Sequence, residues 1–297
     1  MPKKLLLFLI FILAVFGILG LYRAYQARQS AQLAQQAPPP AAPQTKITII
    51  EGWTLQQIAA DLDSNAKRGA ALKHLIGADD FLAAAANFDT SGYQLLDSRP
   101  KGASLEGFIF PDTYFIPADS PSATALSDLI ISKALDNFTA KFTPAMQQEA
   151  AARNMNVYQI VTLASIIEKE TGRQTDSQAE KDALQEERKN IASIFYNRLE
   201  AGMPLESDAT VNYATGKNLA APSIADTKTN SPYNTYLHAG LPPGPICNPS
   251  LSSLLAALEP SQTDYLYFLH DQKTGQVYYA RTYEEHLANK QKYLSAN

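Results

Sequence analysis

Val161-Thr-Leu-Ala-Ser-Ile-Ile-Glu-Lys-Glu-Thr171 is an apolar run that carries two glutamates at its C-terminal end. The residues before it extend it to a helix over Val157–Thr171, with Asn156 as N-cap and Gly172 as stop. Successive helical residues turn by about 100°, so Glu168 and Glu170 point about 200° apart and cannot share a face. Three, four and seven positions before Glu170 stand Ile167, Ile166 and Leu163; before Glu168 stand Ser165, Ala164 and Val161. The helical wheel therefore sets Glu170, rather than Glu168, against an apolar wall. It also puts that acid in the last turn, where the helix dipole disfavours an anion. Desolvation and dipole both raise a carboxyl pKa, which suits a general acid working near neutral pH. The alternative is a solvated pair of glutamates at a helix end, with no chemistry.

On either side of this helix the periodicity predicts more of them. Ala123–Phe142 and Pro144–Arg153 come before it; Ala179–Ala201 follows, amphipathic through Ile191, Ile194, Phe195 and Leu199. Leu205–Tyr213 reads as a polar loop entering a short helix, and residues 229–249, with five prolines and two glycines, read as loop. A helix over Leu251–Leu258 leads to Tyr265–Leu269 and Val277–Arg281, a hairpin turning at Asp271–Gly275, and Tyr283–Leu294 is a closing helix. Upstream, Lys46–Glu51 alternates as a strand, Gly52 turns the chain, and Thr54 caps a helix over Leu55–Leu62. Residues 64–100 read as helical in pieces, Ala70–Ile76 and Phe81–Ala86. Leu105–Ile116 is dense in aromatics and broken by Pro111. Core packing accounts for it; a Phe/Tyr rim beside Asp112 that stacks on sugar rings is the other reading. The class expected is α+β, with a small α/β subdomain over 46–120 and a helix-rich domain with a β-hairpin over 121–297.

The chain opens Met-Pro-Lys-Lys and then runs eighteen residues, Leu5–Tyr22, without a charge. That length just suffices for a transmembrane helix. A cleaved signal peptide is the rival reading, but Tyr22, Arg23 and Tyr25 follow instead of a small-residue cleavage site. The expectation is an uncleaved single-pass anchor over 5–22, a cytoplasmic tail over 1–4 and an extracytoplasmic body at the cell membrane. Residues 23–45, rich in Ala, Gln and Pro, read as a semi-extended tether. Residues 1–45 hold four of the 25 Lys and Arg and none of the 29 acids, so the rest of the chain carries 21 against 29, net −8. An acidic body argues against nucleic acid as partner. Cys247 is the one cysteine, which rules out an internal disulfide or a cysteine-based metal site; His74, His238, His270 and His286 lack zinc-type spacing and are read as structural or idle. No metal or cofactor is expected.

Seven blocks occur in order: Glu106–Tyr114, Leu163–Thr171, Ile191–Leu199, Met203–Val211, Ser231–Tyr236, Gly240–Ile246 and Tyr265–Phe268. Together they resemble the endolytic murein transglycosylases (MltG/YceG-like family) over roughly residues 47–297. The resemblance implies a lyase that cuts the β-1,4 bond between MurNAc and GlcNAc within peptidoglycan glycan strands and leaves 1,6-anhydro-MurNAc ends. It implies Glu170 as the catalytic acid and then base, a role in cell-wall synthesis and remodelling, and cell-wall synthases as candidate partners. A LysM-like character for the 46–120 subdomain follows from the same resemblance. Glu187, Asn197, Asp208, Thr210, Tyr233, Asn234 and Tyr236 are the substrate-binding candidates around Glu170. Asn197 and Arg198 have a helix-packing alternative, Tyr233 and Tyr236 a core one, and Gly240 and Gly244 read as turn geometry.

The chain departs from the family's pattern in one respect. Members usually carry a longer segment between anchor and catalytic part, whereas a single strand–Gly–helix unit, Ile47–Leu62, is legible here, which puts processivity in doubt. Two rival functions stand beside the transglycosylase. A hydrolytic muramidase would need Asp208 or Glu206 to hold a water opposite Glu170. A non-catalytic peptidoglycan-binding scaffold of the growth or division machinery would need no acid at all.

Overall fold

The computed structural model describes residues 3, 17, 19–29, 44–67, 76–117, 122–173, 175, 177–219, 221–271 and 274–294. The chain divides into two units, Met1–Ala42 and Pro43–Asn297. In the first, residues 19–29 are helical, with Gln26 and Gln29 donating to the hydroxyls of Tyr22 and Tyr25. Part of the expected tether is therefore helix, because residues 23–29 are good helix formers without Pro or Gly. Apart from 17 and 19–22, the expected span 5–22 lies outside the described residues. Among the described residues no helix is long and apolar enough to cross a membrane.

The second unit begins with strand β1, Gln44–Thr48, which pairs antiparallel with β2, Thr113–Pro117, setting Ile47 opposite Tyr114. Between them lie helices α1, Leu55–Lys67, and α2, Ala78–Asn87. The single strand–Gly–helix unit read from the sequence is thus a β-α-α-β arrangement, whose second strand lies over sixty positions away in the chain. Gly52, at φ +75°, turns β1 toward α1. Thr54 and Gln57 then exchange cap bonds at 3.2 and 2.9 Å. The expected piece Ala70–Ile76 lies, but for its last residue, outside the described residues.

Helices α3 (Ala123–Lys141) and α4 (Pro144–Ala152) lead into α5 (Val157–Thr171), which Asn156 and Gln159 cap reciprocally at 2.9 Å. Helix α5 packs against α4, α6 (Gln178–Glu200), α7 (Asp208–Thr215) and α8 (Leu251–Leu258). Eleven of its fifteen residues are buried. A helix surrounded in this way is apolar nearly all round, which is why its sequence runs Val-Thr-Leu-Ala-Ser-Ile-Ile with no solvated stripe. The hairpin β3 (Tyr267–His270) and β4 (Val277–Ala280) follows, covered by α9 (Tyr283–Tyr293). The mixed, helix-rich α+β class agrees with the expectation.

Most of the aromatic segment Leu105–Ile116 is core: Phe108 and Ile109 are fully buried, and Phe108 meets Phe138 edge-on at 5.1 Å, whereas Phe115 is 57% exposed. Asp112, exposed beside it, accepts from Asn137 at 2.8 Å. Gly107 has φ +91°, and a Cβ there would stand 2.6 to 2.7 Å from Pro245 and Val161, so no other residue fits. Fully buried Asn248 joins this segment to the start of α1. Its Oδ1 accepts from the amides of Gly107 and Ile109 at 3.0 and 2.9 Å, and its Nδ2 donates to Trp53 O and Glu106 Oε1 at 2.9 and 3.1 Å. Glu106 in turn accepts the amide of Leu55. Burial pushes the Glu106 carboxyl up to about 8.

Candidate active site

Glu170 lies in the last turn of α5, partly buried, in the wall of a cavity of about 1400 Å³ that also takes in Gln56 of α1 and Lys290 of α9. Its Oε1 accepts from the Ser207 hydroxyl at 2.5 Å, and the nearby Ala209 amide favours its charged form. Burial raises the Glu170 pKa. The Ser207 bond and His270 act against that rise, and Asp208 adds to it. A carboxyl with raised affinity for its proton, in a wall open to a groove, can deliver that proton to a ligand.

Ser207 is itself buried, and its loop is built to aim it. Glu206 stands at φ +51°, a backbone state unusual outside glycine. The Glu206 amide donates to Thr235 O, and the Ser207 amide to Thr235 Oγ1, both at 3.1 Å. Thr210 closes the staple by donating to Ser207 O at 2.7 Å. From α6, buried Arg198 donates to the carbonyls of Pro204 and Leu205, to the Glu206 carboxylate at 2.9 Å, and to Leu266 O at 2.7 Å. One guanidinium thus ties this loop to the approach of β3.

The wheel's contrast between the two glutamates requires correction. Glu168 is the more buried, at 3% exposure. Its Oε2 accepts from the Ser250 amide (3.0 Å), the Ser250 hydroxyl (2.5 Å) and the Ser253 hydroxyl (2.7 Å), at the N-terminus of α8. The wheel weighed only neighbours along α5, whereas polar donors reach Glu168 from another helix. The anion meets the positive end of α8 there and is held by structure.

The substrate-binding candidates separate into groups. Asp208 and Tyr236 join Glu170 in the cavity wall, with the Tyr236 hydroxyl donating to Asp208 Oδ1 at 2.6 Å. Glu187 lies one step behind. Arg173 grips it with two bonds at 2.8 and 2.7 Å, and His270 Nε2 stands 3.6 Å from its Oε1. Burial alone would raise the Glu187 pKa; His270 and Arg173 outweigh it and hold the carboxyl below the ordinary glutamate value.

The other four are framework. Thr210 is fully buried in its staple. Asn234, also fully buried, donates to the carbonyls of Thr227 and Thr229. Asn197 donates to the carbonyls of Thr263 and Tyr265, and borders a different cavity of about 530 Å³. Tyr233 packs on Tyr213 at 4.9 Å between ring centroids, behind the cavity wall. Gly244 is there for space, because a Cβ would collide with the Tyr158 hydroxyl.

Two residues escaped the sequence reading. Ser207 sits inside the Met203–Val211 block, but nothing local separates its hydroxyl from an ordinary N-cap. His270, read as structural or idle, lines the same cavity as Glu170, and its charge would favour the ionised carboxyl. Its position in a strand next to a turn gives no local signal, since Glu187 lies over eighty residues away.

With this geometry in hand, the relatives are informative. A family model described as the YceG-like family matches residues 19–292. A Bacillus subtilis (strain 168) protein named endolytic murein transglycosylase is 42% identical over 192 residues, 65% of this chain and 49% of its own. A Streptococcus pneumoniae (strain D39) protein of the same name is 35% identical over 263 residues, 82% of this chain and 43% of its own. This chain therefore spans about half the length of the relatives it matches. The crystal structure of a yceG-like protein from Listeria monocytogenes superposes with a TM-score of 0.66 at 34% identity, covering 84% of this chain and 76% of that one. The chain belongs to the YceG-like family.

Proposed function

We propose that this protein is an endolytic lytic transglycosylase acting on the β-1,4 MurNAc–GlcNAc bond of peptidoglycan strands, with Glu170 as its single acid and base. The observation that carries the reading is Glu170 itself: a carboxyl of raised pKa, lining a cavity of about 1400 Å³ and aimed by Ser207. Protonated Glu170 gives its proton to the oxygen leaving from MurNAc C1, and the C1–O bond breaks. The resulting carboxylate then takes the proton of the same sugar's C6 hydroxyl as that oxygen bonds to C1. The anhydro ring closes, Glu170 regains its proton, and no water is consumed.

The muramidase reading needs a second carboxylate to activate water. Glu206 is paired with Arg198, and Asp208 accepts from Tyr236, so both nearby acids are already engaged. Digestion of purified sacculi in ¹⁸O-labelled water tests the choice. Unlabelled anhydro ends support the transglycosylase; labelled reducing ends would replace it with a hydrolase.

The same proposal extends to placement. The uncharged run Leu5–Tyr22 supports a single-pass anchor with the body outside the cytoplasm. The antiparallel β1–β2 pair enclosing α1 and α2 supports a LysM-like glycan-binding subdomain. Thr54, which caps α1, and Gln56 and Gln57 within it border the Glu170 cavity, where a strand could run on from the cleavage point. Cell-wall synthases are the partners such an enzyme would serve.

A further inference from the structure

His270 ends β3 with its Nε2 enclosed and without a hydrogen-bond partner among the described residues, while its ring borders the Glu170 cavity. The ring is oriented from two sides. Phe268 meets it edge-on at 5.4 Å between centroids, and Phe268 itself packs edge-on against Phe195 of α6 at 6.2 Å. Behind it, Glu187 Oε1 stands 3.6 Å away, held by the bidentate Arg173 pair that begins two residues beyond α5. Among the described residues, Glu187 of α6 flanks the imidazole, Arg173 and Tyr279 of β4 lie about Glu187, and Glu170 of α5 lines the same cavity. Asp208 of α7 acts on Glu170 from the other side. From α9, His286 stacks on Tyr267, whose side chain alternates to the opposite face of the strand.

We propose that His270 is a positioning residue: Glu187 and Arg173 orient its imidazole so that, when protonated, its charge stabilises the carboxylate Glu170 forms on giving up its proton. The inference rests on the function proposed for Glu170. It adds a chain of charges, Arg173–Glu187–His270, that acts on the acid without touching the reacting bond. A cation facing a carboxyl favours the ionised form, so the relay balances the burial that favours the neutral one. A residue that must both donate and recover one proton is served by such a balance.

The test is the titration of the Glu170 carboxyl, followed by ¹³C NMR on the full chain labelled at glutamate Cδ and assigned through the signal lost in Glu170→Gln. His270→Gln is expected to move that titration upward by about half a pH unit or more. His270→Lys, which keeps a cation, should return it toward the wild-type position. A melting curve checks that each variant folds, and His270→Asn replaces the glutamine variant if that one does not. An unmoved titration in the folded variant overturns the inference. The sacculus digest is read separately. Anhydro products with an unmoved titration sink this relay alone, while a moved titration without anhydro products keeps the relay and sinks the transglycosylase.

Discussion

The Ser207 hydroxyl donates to Glu170 Oε1 at 2.5 Å, although Ser207 occupies the N-cap position of α7 and would ordinarily accept from that helix's own amides. The hydroxyl caps nothing in α7. Its proton points across to the end of α5, where the nearby Ala209 amide also favours the charged carboxyl. Glu170 thus lies where the negative end of one helix meets the positive end of another. The first disfavours its charge, the second favours it, and burial raises its affinity for the proton.

Ser207→Ala removes the donor while leaving the loop's backbone bonds in place. The Glu170 carboxylate loses a charge-assisted bond, so its pKa rises further and the protonated acid persists to higher pH. Cleavage is expected to fall about tenfold, with the alkaline limb of the pH–rate profile shifted upward. A uniform loss at every pH would mean that Ser207 only supports the loop.

Glu168 is expected to be a stability residue. Glu168→Ala leaves the donors of Ser250 and Ser253 without an acceptor in a buried place, at a cost of about 2–4 kcal/mol in chemical denaturation. Glu168→Gln keeps one acceptor oxygen and should cost less. Per folded molecule, cleavage should persist in both. An isolated loss of cleavage in a fully stable Glu168→Gln would place this acid in the chemistry.

Glu106 supplies a pH signature. Its folded pKa, about 8, lies above the ordinary glutamate value, so the folded state binds this proton more tightly than the unfolded one. Its contribution is fully present below the unfolded pKa and is lost as pH rises through about 8. Glu106→Gln should flatten the decline in melting temperature between roughly pH 5 and 8, while keeping an acceptor for the Leu55 amide. An unchanged slope in the variant would contradict this assignment.

Gly107→Ala should destabilise by about 2–4 kcal/mol, because the added methyl meets Pro245 and Val161 and the backbone is left-handed. The same substitution at Gly240, φ +93° with open space around it, should cost about 1 kcal/mol. Equal costs would mean that backbone strain, not contact, decides both sites.

Much of the fold could be read because its signals are local. Asn156 with Gln159, Thr54 with Gln57, and Pro144 after Thr143 each mark a helix start within four residues. The partner of β1 could not be read that way, since nothing near Gln44–Thr48 points to Thr113–Pro117. Glu170 was legible by its place in the last turn of an apolar helix and by the family's motif. The wheel's reason for preferring it over Glu168 fails, because α5 is enclosed on nearly every side. Ser207 and His270 were illegible for one shared reason: each acts on a residue brought near only by tertiary packing. Asn197 and Asn234 looked like ligands because they are polar residues within the family's blocks, yet buried backbone carbonyls need donors as much as a substrate does.

The most direct test is a digest of purified sacculi by the full chain beside its Glu170→Gln variant, read by mass spectrometry with a melting curve for each. The glutamine keeps an acceptor for Ser207 but carries no transferable proton. The expected result is muropeptides one water lighter than hydrolytic products from the wild type, and a loss of about a hundredfold or more with a variant of unchanged stability. Anhydro products persisting at the wild-type rate in Glu170→Gln would contradict the assignment of Glu170 as the acid.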